Sequence, residues 1–193
     1  MKNLVFATHN KNKIKEIQAK LADRYALISL SDLDIAEEIP ETADTFEGNA
    51  LLKAQYIWNK FGMSCFADDS GLEVDALGGA PGVHSARYAG LQKSDKNNID
   101  LLLENLKNYT DTSAQFHTCI ALILEGQVYY FHGIIRGRLI RERKGANGFG
   151  YDPIFIPEGY DRTFAEMTLA EKNAISHRAK AVAKLVDFLN QIS

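Results

Sequence analysis

An apolar run from Ser64 to Ala67 closes on two adjacent carboxylates, Asp68 and Asp69, with Ser70 and Gly71 directly behind them. No other junction constrains the fold as much. Successive strand residues point to opposite faces, so both carboxylates cannot face a core unless the strand has ended there. The expected place is the carboxyl edge of a strand, where open α/β sheets bind their ligands. Two carboxylates at such an edge suit a hard cation such as Mg²⁺, which takes oxygen ligands and usually brings a phosphate-bearing substrate. A solvated turn with capping Asp and Ser side chains is the competing reading of the same string.

The flanking pattern predicts an α/β fold. Leu4 to Ala7 reads as a short buried strand, and Ile14, Ile17 and Leu21 at helical spacing predict a helix from about Asn10 to Ala22. Tyr25 to Leu30 is a second strand. Asp44, with Glu47 three residues on, is expected to open a helix whose apolar face is Phe46, Ala50, Leu51, Ala54, Ile57 and Trp58. Ser94 caps a helix carrying Leu101, Leu102, Leu103 and Leu106. Two long strands, Ala114 to Leu124 and Val128 to Ile140, form a hairpin around Glu125-Gly126. A loop at Gly145 to Tyr151, a short strand at Ile154 to Ile156, a capping box from Thr168 to Glu171 and a last helix begun by Ser176 complete the chain. Alternating elements early and a hairpin later predict an elongated mixed β-sheet with flanking helices. The hairpin extends the sheet into a second lobe, leaving a central substrate cleft, within one domain over residues 1–193 that has no separable linker.

Composition narrows the function classes. With 193 residues, 46% of them apolar, the chain has enough material for a substantial core. Lys and Arg total 22 against 25 Asp and Glu, a net charge of -3, so no basic field announces a nucleic-acid partner. Cys65 and Cys119 lie in apolar surroundings without CxxC spacing, which fits small buried hydrophobes in a reducing compartment. The apolar run Leu4 to Thr8 is too short for a signal core, and no later segment reaches membrane-spanning length. The expectation is a cytoplasmic protein that binds neither membrane nor nucleic acid.

Thr8-His9-Asn10-Lys11-Asn12-Lys13 lies between the first strand and its helix, where amides and side-chain donors meet the helix's positive end. That suits a phosphate, although the loop has no Walker glycines and taken alone matches many ordinary surfaces. Glu41 and Lys53 carry no local signal separating them from solvated charges. Phe149-Gly150-Tyr151-Asp152 offers an aromatic beside a carboxylate on a glycine-containing loop, and equally an aromatic packing that loop onto the core. Lys172, His177 and Arg178 are three donors near a helix start, and a charged helix end explains them nearly as well. His84, His117 and His132 read as structural.

Taken together, the strings resemble the inosine/xanthosine triphosphate pyrophosphatase family over nearly the full length. The matching segments are 7–13, Glu41 with 45–50 and Lys53, 67–72, 77–83, 85–88, 148–153, Lys172-Asn173 and 176–178. The resemblance implies hydrolysis of non-standard purine nucleoside triphosphates (ITP, dITP, XTP) to the monophosphate and pyrophosphate, by Mg²⁺-assisted attack of water at the α-phosphate. It makes Thr8 to Lys13 the triphosphate cradle, Glu41 and Asp69 the Mg²⁺ ligands, and Asp69 the acceptor of the water's proton. Asp68 supports the metal shell, Lys53 and Lys13 neutralise phosphate charge, and Ser70 touches the substrate. Phe149, Gly150, Tyr151, Asp152, Lys172, His177 and Arg178 surround the base, and a homodimer is implied. Lys172, His177 and Arg178 would leave a buried donor unpaired against adenine, which lacks the 6-keto acceptor of hypoxanthine and xanthine. The rival readings are a pyrophosphatase for another modified nucleotide, a phosphomonoesterase using Asp69 as nucleophile, and a non-catalytic nucleotide-binding protein.

Overall fold

The computed structural model describes residues 1–21 and 23–192. Six strands form one mixed sheet in the order β2-β1-β3-β4-β5-β6. These are β1 (Lys2–Phe6), β2 (Tyr25–Ile28), β3 (Cys65–Val74), β4 (Ser113–Leu124), β5 (Gln127–Leu139) and β6 (Phe155–Pro157). The helices are α1 (Lys11–Gln18), α2 (Phe46–Phe61), α3 (Asp95–Leu106), α4 (Leu169–Ile175) and α5 (His177–Gln191). β1 is parallel to β2 and β3, and β5 is antiparallel to β6. The chain forms two compact units, 1–69 with 119–132 and 181–193, and 70–118 with 133–180.

In the first unit the sheet is covered on both faces. Leu4 and Phe6 of β1, Phe66 of β3 and Ile120 and Leu122 of β4 pack with Ile17 and Leu21 and with Ala181, Val182, Leu185, Val186 and Leu189 of α5. Val5, Cys65, Ala67 and Ile123 pack the other way, against Ala54 and Ile57 of α2. The period of two in β1 and β3 thus feeds two cores at once, which is why these strands read as continuous apolar runs. The second unit has one apolar layer, where Leu72, Val74, Phe116, Ile135, Leu139 and Phe155 meet Ile99, Leu102 and Leu106 of α3. Between the apolar positions of its strands run Glu73, Gln115 and Arg136, which bond to one another and to Asp75.

Several expectations change here. β3 does not stop at the carboxylates; it continues through Asp68, Asp69, Ser70 and Gly71 to Val74. The alternation argument still holds, because the two side chains take opposite faces instead of sharing an edge. Asp68 falls with Phe66 on the α1 face, and Asp69 falls with Cys65 and Ala67 on the α2 face. What ends there is the neighbour: β1 pairs Val5 with Cys65 and Phe6 with Phe66 and then leaves the sheet. The carboxylates therefore lie just past the carboxyl end of β1, mid-way along β3.

Helix α2 is capped by Thr45, whose Oγ1 accepts from the Gly48 amide, and not by Asp44 with Glu47. Thr45 takes the extended φ/ψ that a capping residue needs, and Glu47 turns instead to His132 Nε2 at 2.7 Å. α1 ends at Gln18, and Ala22, the expected end of that helix, lies outside the described residues. The Thr168–Glu171 box and the Ser94 cap form as expected, and a second box, Thr163 with Glu166, precedes the first. The hairpin turns at Glu125 and Gly126, both with positive φ, which matches the twist of paired strands. Both cysteines are free and fully buried.

Candidate active site

The loop after β1 is built by Asn10. Its side-chain oxygen accepts from the amides of Asn12 at 3.0 Å and Lys13 at 3.2 Å, capping α1, while its own amide donates to Thr8 Oγ1 at 3.1 Å. Two of the amides expected to be open to an anion are thus engaged by the cap. The side chains of His9, Lys11 and Lys13 remain as cationic or donor groups, with His9 Nδ1 3.5 Å from Ser31 Oγ. Lys13, one turn into α1, reaches Asp68 Oδ2 at 3.4 Å.

Lys53 comes from the opposite face, on α2. Its Nζ donates to Glu41 Oε1 at 2.8 Å and to the backbone carbonyl of Asp68. Burial works to lower the Lys53 pKa, but the charges of Asp68, Glu41 and Asp69 outweigh it and the net shift is upward. Three carboxylates and two lysines therefore converge past the end of β1, with Asp69 only 9% exposed. Glu41 is brought in by a segment outside any helix or strand, with no periodic signal, which is why sequence pattern did not distinguish it.

The donor set fits Mg²⁺. Every candidate group is a hard carboxylate or carbonyl oxygen, and no group of three or more His, Cys, Asp or Glu spaced to hold a metal occurs among the described residues. Mg²⁺ commonly takes one or two carboxylates and completes its shell with water and substrate phosphate.

A second cluster lies in the other unit. Asp152 is buried and accepts from Lys172 Nζ at 2.6 Å and from the Phe149 amide at 3.1 Å. Burial pushes the Asp152 carboxyl up, against the pull of Lys172. The Lys172 ammonium lies 4.5 Å from the Phe149 ring centroid, and Phe149 is 76% exposed. Gly148 has φ +76, and a Cβ there would collide with Asp152 Oδ2, so the turn before Phe149 accepts only glycine. A pocket of about 460 Å³ opens beside this cluster, lined by Asn147, Gly148, Phe164, Met167, Thr168, Leu169 and Lys172. His177 stacks on Phe116 with centroids 4.9 Å apart, and Arg178 follows it, half-buried. Tyr151 points into the core and donates its hydroxyl to Ser85 O at 2.7 Å, so its phenol packs the loop and does not face solvent.

Sequence reading did not anticipate the pairing of Asp152 with Lys172, twenty positions apart in the numbering, nor Met167 and Leu169 as pocket wall. The Thr168 box was the available signal, since it fixes the turn from which both Leu169 and Lys172 project.

Residues 4–188 match the model of the Ham1 family. The chain belongs to the Ham1 family. Curated relatives of this Ham1 chain include proteins named dITP/XTP pyrophosphatase. The one from Flavobacterium johnsoniae is 57% identical over 96% of this chain and 97% of its own length. The one from Bacillus subtilis is 45% identical over 98% of both. The Ham1 protein of Staphylococcus aureus superposes with a TM-score of 0.95 at 41% identity, covering 100% of both chains. A nucleoside-triphosphatase/dITP/XTP pyrophosphatase from Mycobacterium abscessus gives 0.84 at 43% identity over 95% of this chain and 98% of its own. No helix among the described residues is long and apolar enough to cross a membrane.

Proposed function

We infer that this Ham1 chain is a nucleoside-triphosphate pyrophosphatase that converts dITP, ITP and XTP to the monophosphate and pyrophosphate. The observation that carries the reading is the convergence of Glu41, Asp68, Asp69, Lys13 and Lys53 past the end of β1. It occurs in a chain aligned almost end to end with relatives named dITP/XTP pyrophosphatase. A triphosphate needs cations along it, and hydrolysis between its α- and β-phosphates needs the leaving pyrophosphate's charge offset.

In this reading His9, Lys11 and Lys13 hold the phosphates, with Thr8, Asn10 and Asn12 shaping the loop, and Ser70 touches the substrate. Glu41 and Asp69 would hold Mg²⁺, which would supply electrostatic stabilisation of phosphate charge. Asp69 takes the proton of the attacking water. Lys53 keeps Glu41 and Asp68 in place and adds positive charge. Phe149 stacks on the purine, Gly150 and Tyr151 shape the loop, and Asp152 accepts from the ring N1–H. Lys172, His177 and Arg178 offer donors to keto oxygens and so disfavour adenine. The assembly is a homodimer working in the cytoplasm.

The deciding experiment incubates purified protein with ITP, XTP, GTP and ATP, with and without Mg²⁺, and detects phosphate and pyrophosphate separately. Mg²⁺-dependent pyrophosphate from ITP and XTP is expected. Release of orthophosphate instead would favour the phosphomonoesterase, and binding with no release would favour a nucleotide-binding protein.

A further inference from the structure

Phe149 sits on a loop that glycine makes pliable, with positive φ at Gly145, Gly148 and Gly150. Glycine gives such a loop many backbone states, so an exposed ring on it is useful only if the backbone is anchored. One anchor is internal, since the Phe149 amide donates to Asp152 Oδ2 and the Asp152 amide returns to the Phe149 carbonyl. The other comes from a distant part of the chain. The Gly150 amide donates to Asp95 Oδ2 at 2.8 Å. Consecutive amides are thus held by two different carboxylates.

Asp95 is well placed to act as a fixed point. It occupies the first turn of α3 behind the Ser94 cap, and α3 is locked by Ile99, Leu102 and Leu106 in the core. Asn98, one turn on, donates to the Ser85 and Ala86 carbonyls and accepts from the Ala89 amide. Ser85 O also receives the Tyr151 hydroxyl. The first turn of α3 therefore grips the Phe149 loop at Gly150 and, through Ser85, at Tyr151. An acidic residue at that position ordinarily serves its own helix's positive end, whereas the Asp95 oxygen is committed to an amide elsewhere.

We propose that Asp95 is a positioning residue for purine recognition, fixing the Gly150 amide so that Phe149 is presented at a set height and angle to the base. This rests on the reading of the Phe149 loop as the base site. Asp95 touches no substrate; its effect is on how much of the loop's freedom must be lost when a nucleotide binds.

The test compares wild type, Asp95→Ala and Asp95→Asn in three measurements: kcat and KM for ITP, calorimetric affinity for IMP, and hydrogen exchange of the 148–152 segment. Asp95→Ala is expected to raise KM and weaken IMP binding about tenfold, the scale of one lost charge-assisted hydrogen bond, with kcat within about twofold. Exchange in the segment should quicken, and Tm should stay close to wild type. Asp95→Asn keeps an oxygen acceptor for the Gly150 amide and should recover most of the loss. Unchanged IMP affinity and exchange in Asp95→Ala overturns the proposal, as does a loss carried by kcat alone or one that simply follows Tm. If Asp95→Ala does not fold, Asp95→Asn with wild-type exchange at Gly150 but tenfold weaker IMP binding would equally overturn it. Failure of wild type to release pyrophosphate from ITP would sink the activity instead, and the binding and exchange measurements would still decide the role of Asp95.

Discussion

Asp68 and Asp69 are adjacent in the chain yet have different partners, because a strand sends neighbours to opposite faces. Asp68 meets Lys13 of α1, and its carbonyl meets Lys53 of α2, while Asp69 is nearly buried on the α2 face. Asp69→Asn should abolish pyrophosphate release while far-UV dichroism and Tm stay near wild type, since an amide is a poor metal ligand and cannot take a proton. A folded Asp69→Asn protein with near-normal turnover would remove Asp69 from the chemistry. Lys53 sets a pH dependence whose sign follows from its upward shift. A folded-state pKa above the unfolded value of about 10.4 means stability that is complete below that value and fades as pH rises through the folded one. The Tm advantage of wild type over Lys53→Met should therefore be flat near neutrality and shrink at strongly alkaline pH; a gap that widens there would contradict the ion-pair account. The thiols behave oppositely to reactive cysteines, since burial pushes Cys65 and Cys119 both up to about 12. Iodoacetamide at mildly alkaline pH should leave the native protein unlabelled and modify both residues in urea.

Among the elements, α4 is short and depends on its cap. Thr168 Oγ1 accepts from the Glu171 amide while the Glu171 carboxylate accepts from the Thr168 amide, and the turn so fixed carries Lys172. Thr168→Ala should cost about 1 kcal/mol in urea unfolding. It should also raise KM for ITP more than it raises the inhibition constant of tripolyphosphate, which lacks a base; equal effects on both would detach α4 from base recognition. This box was legible in the sequence because both partners lie within four residues. So were α5 and the β4–β5 hairpin, whose apolar spacing and turn residues are local. The Asp44 cap was misread by one residue because Asp44 and Thr45 are both good caps, and only the position of Gly48 decides between them. The end of β3 was misplaced for a different reason. Charge in a strand looks like a terminus until Lys13 and Lys53, from two other elements, supply partners that no local pattern reveals. The Asp152–Lys172 pair and the grip of Asp95 on Gly150 are long-range contacts of the same kind.

For the whole molecule, the two units rest on separate cores. Leu185→Ala removes a fully buried side chain from the α5 layer, and Leu102→Ala does so from the α3 layer. Each should cost about 2–5 kcal/mol in chemical denaturation, and a loss under 1 kcal/mol for either would mean that its layer repacks. The unit boundaries at 69/70, 118/119, 132/133 and 180/181 fall inside β3, β4, β5 and α5. This has a genetic consequence. Neither unit is written in one uninterrupted stretch of codons, so no exon-like fragment could be shuffled in or out as a working half. A stop at codon 181 would delete Ala181, Val182, Leu185, Val186 and Leu189, the layer against which β1 and β3 pack. A stop at codon 181 should therefore be as damaging as one inside β3.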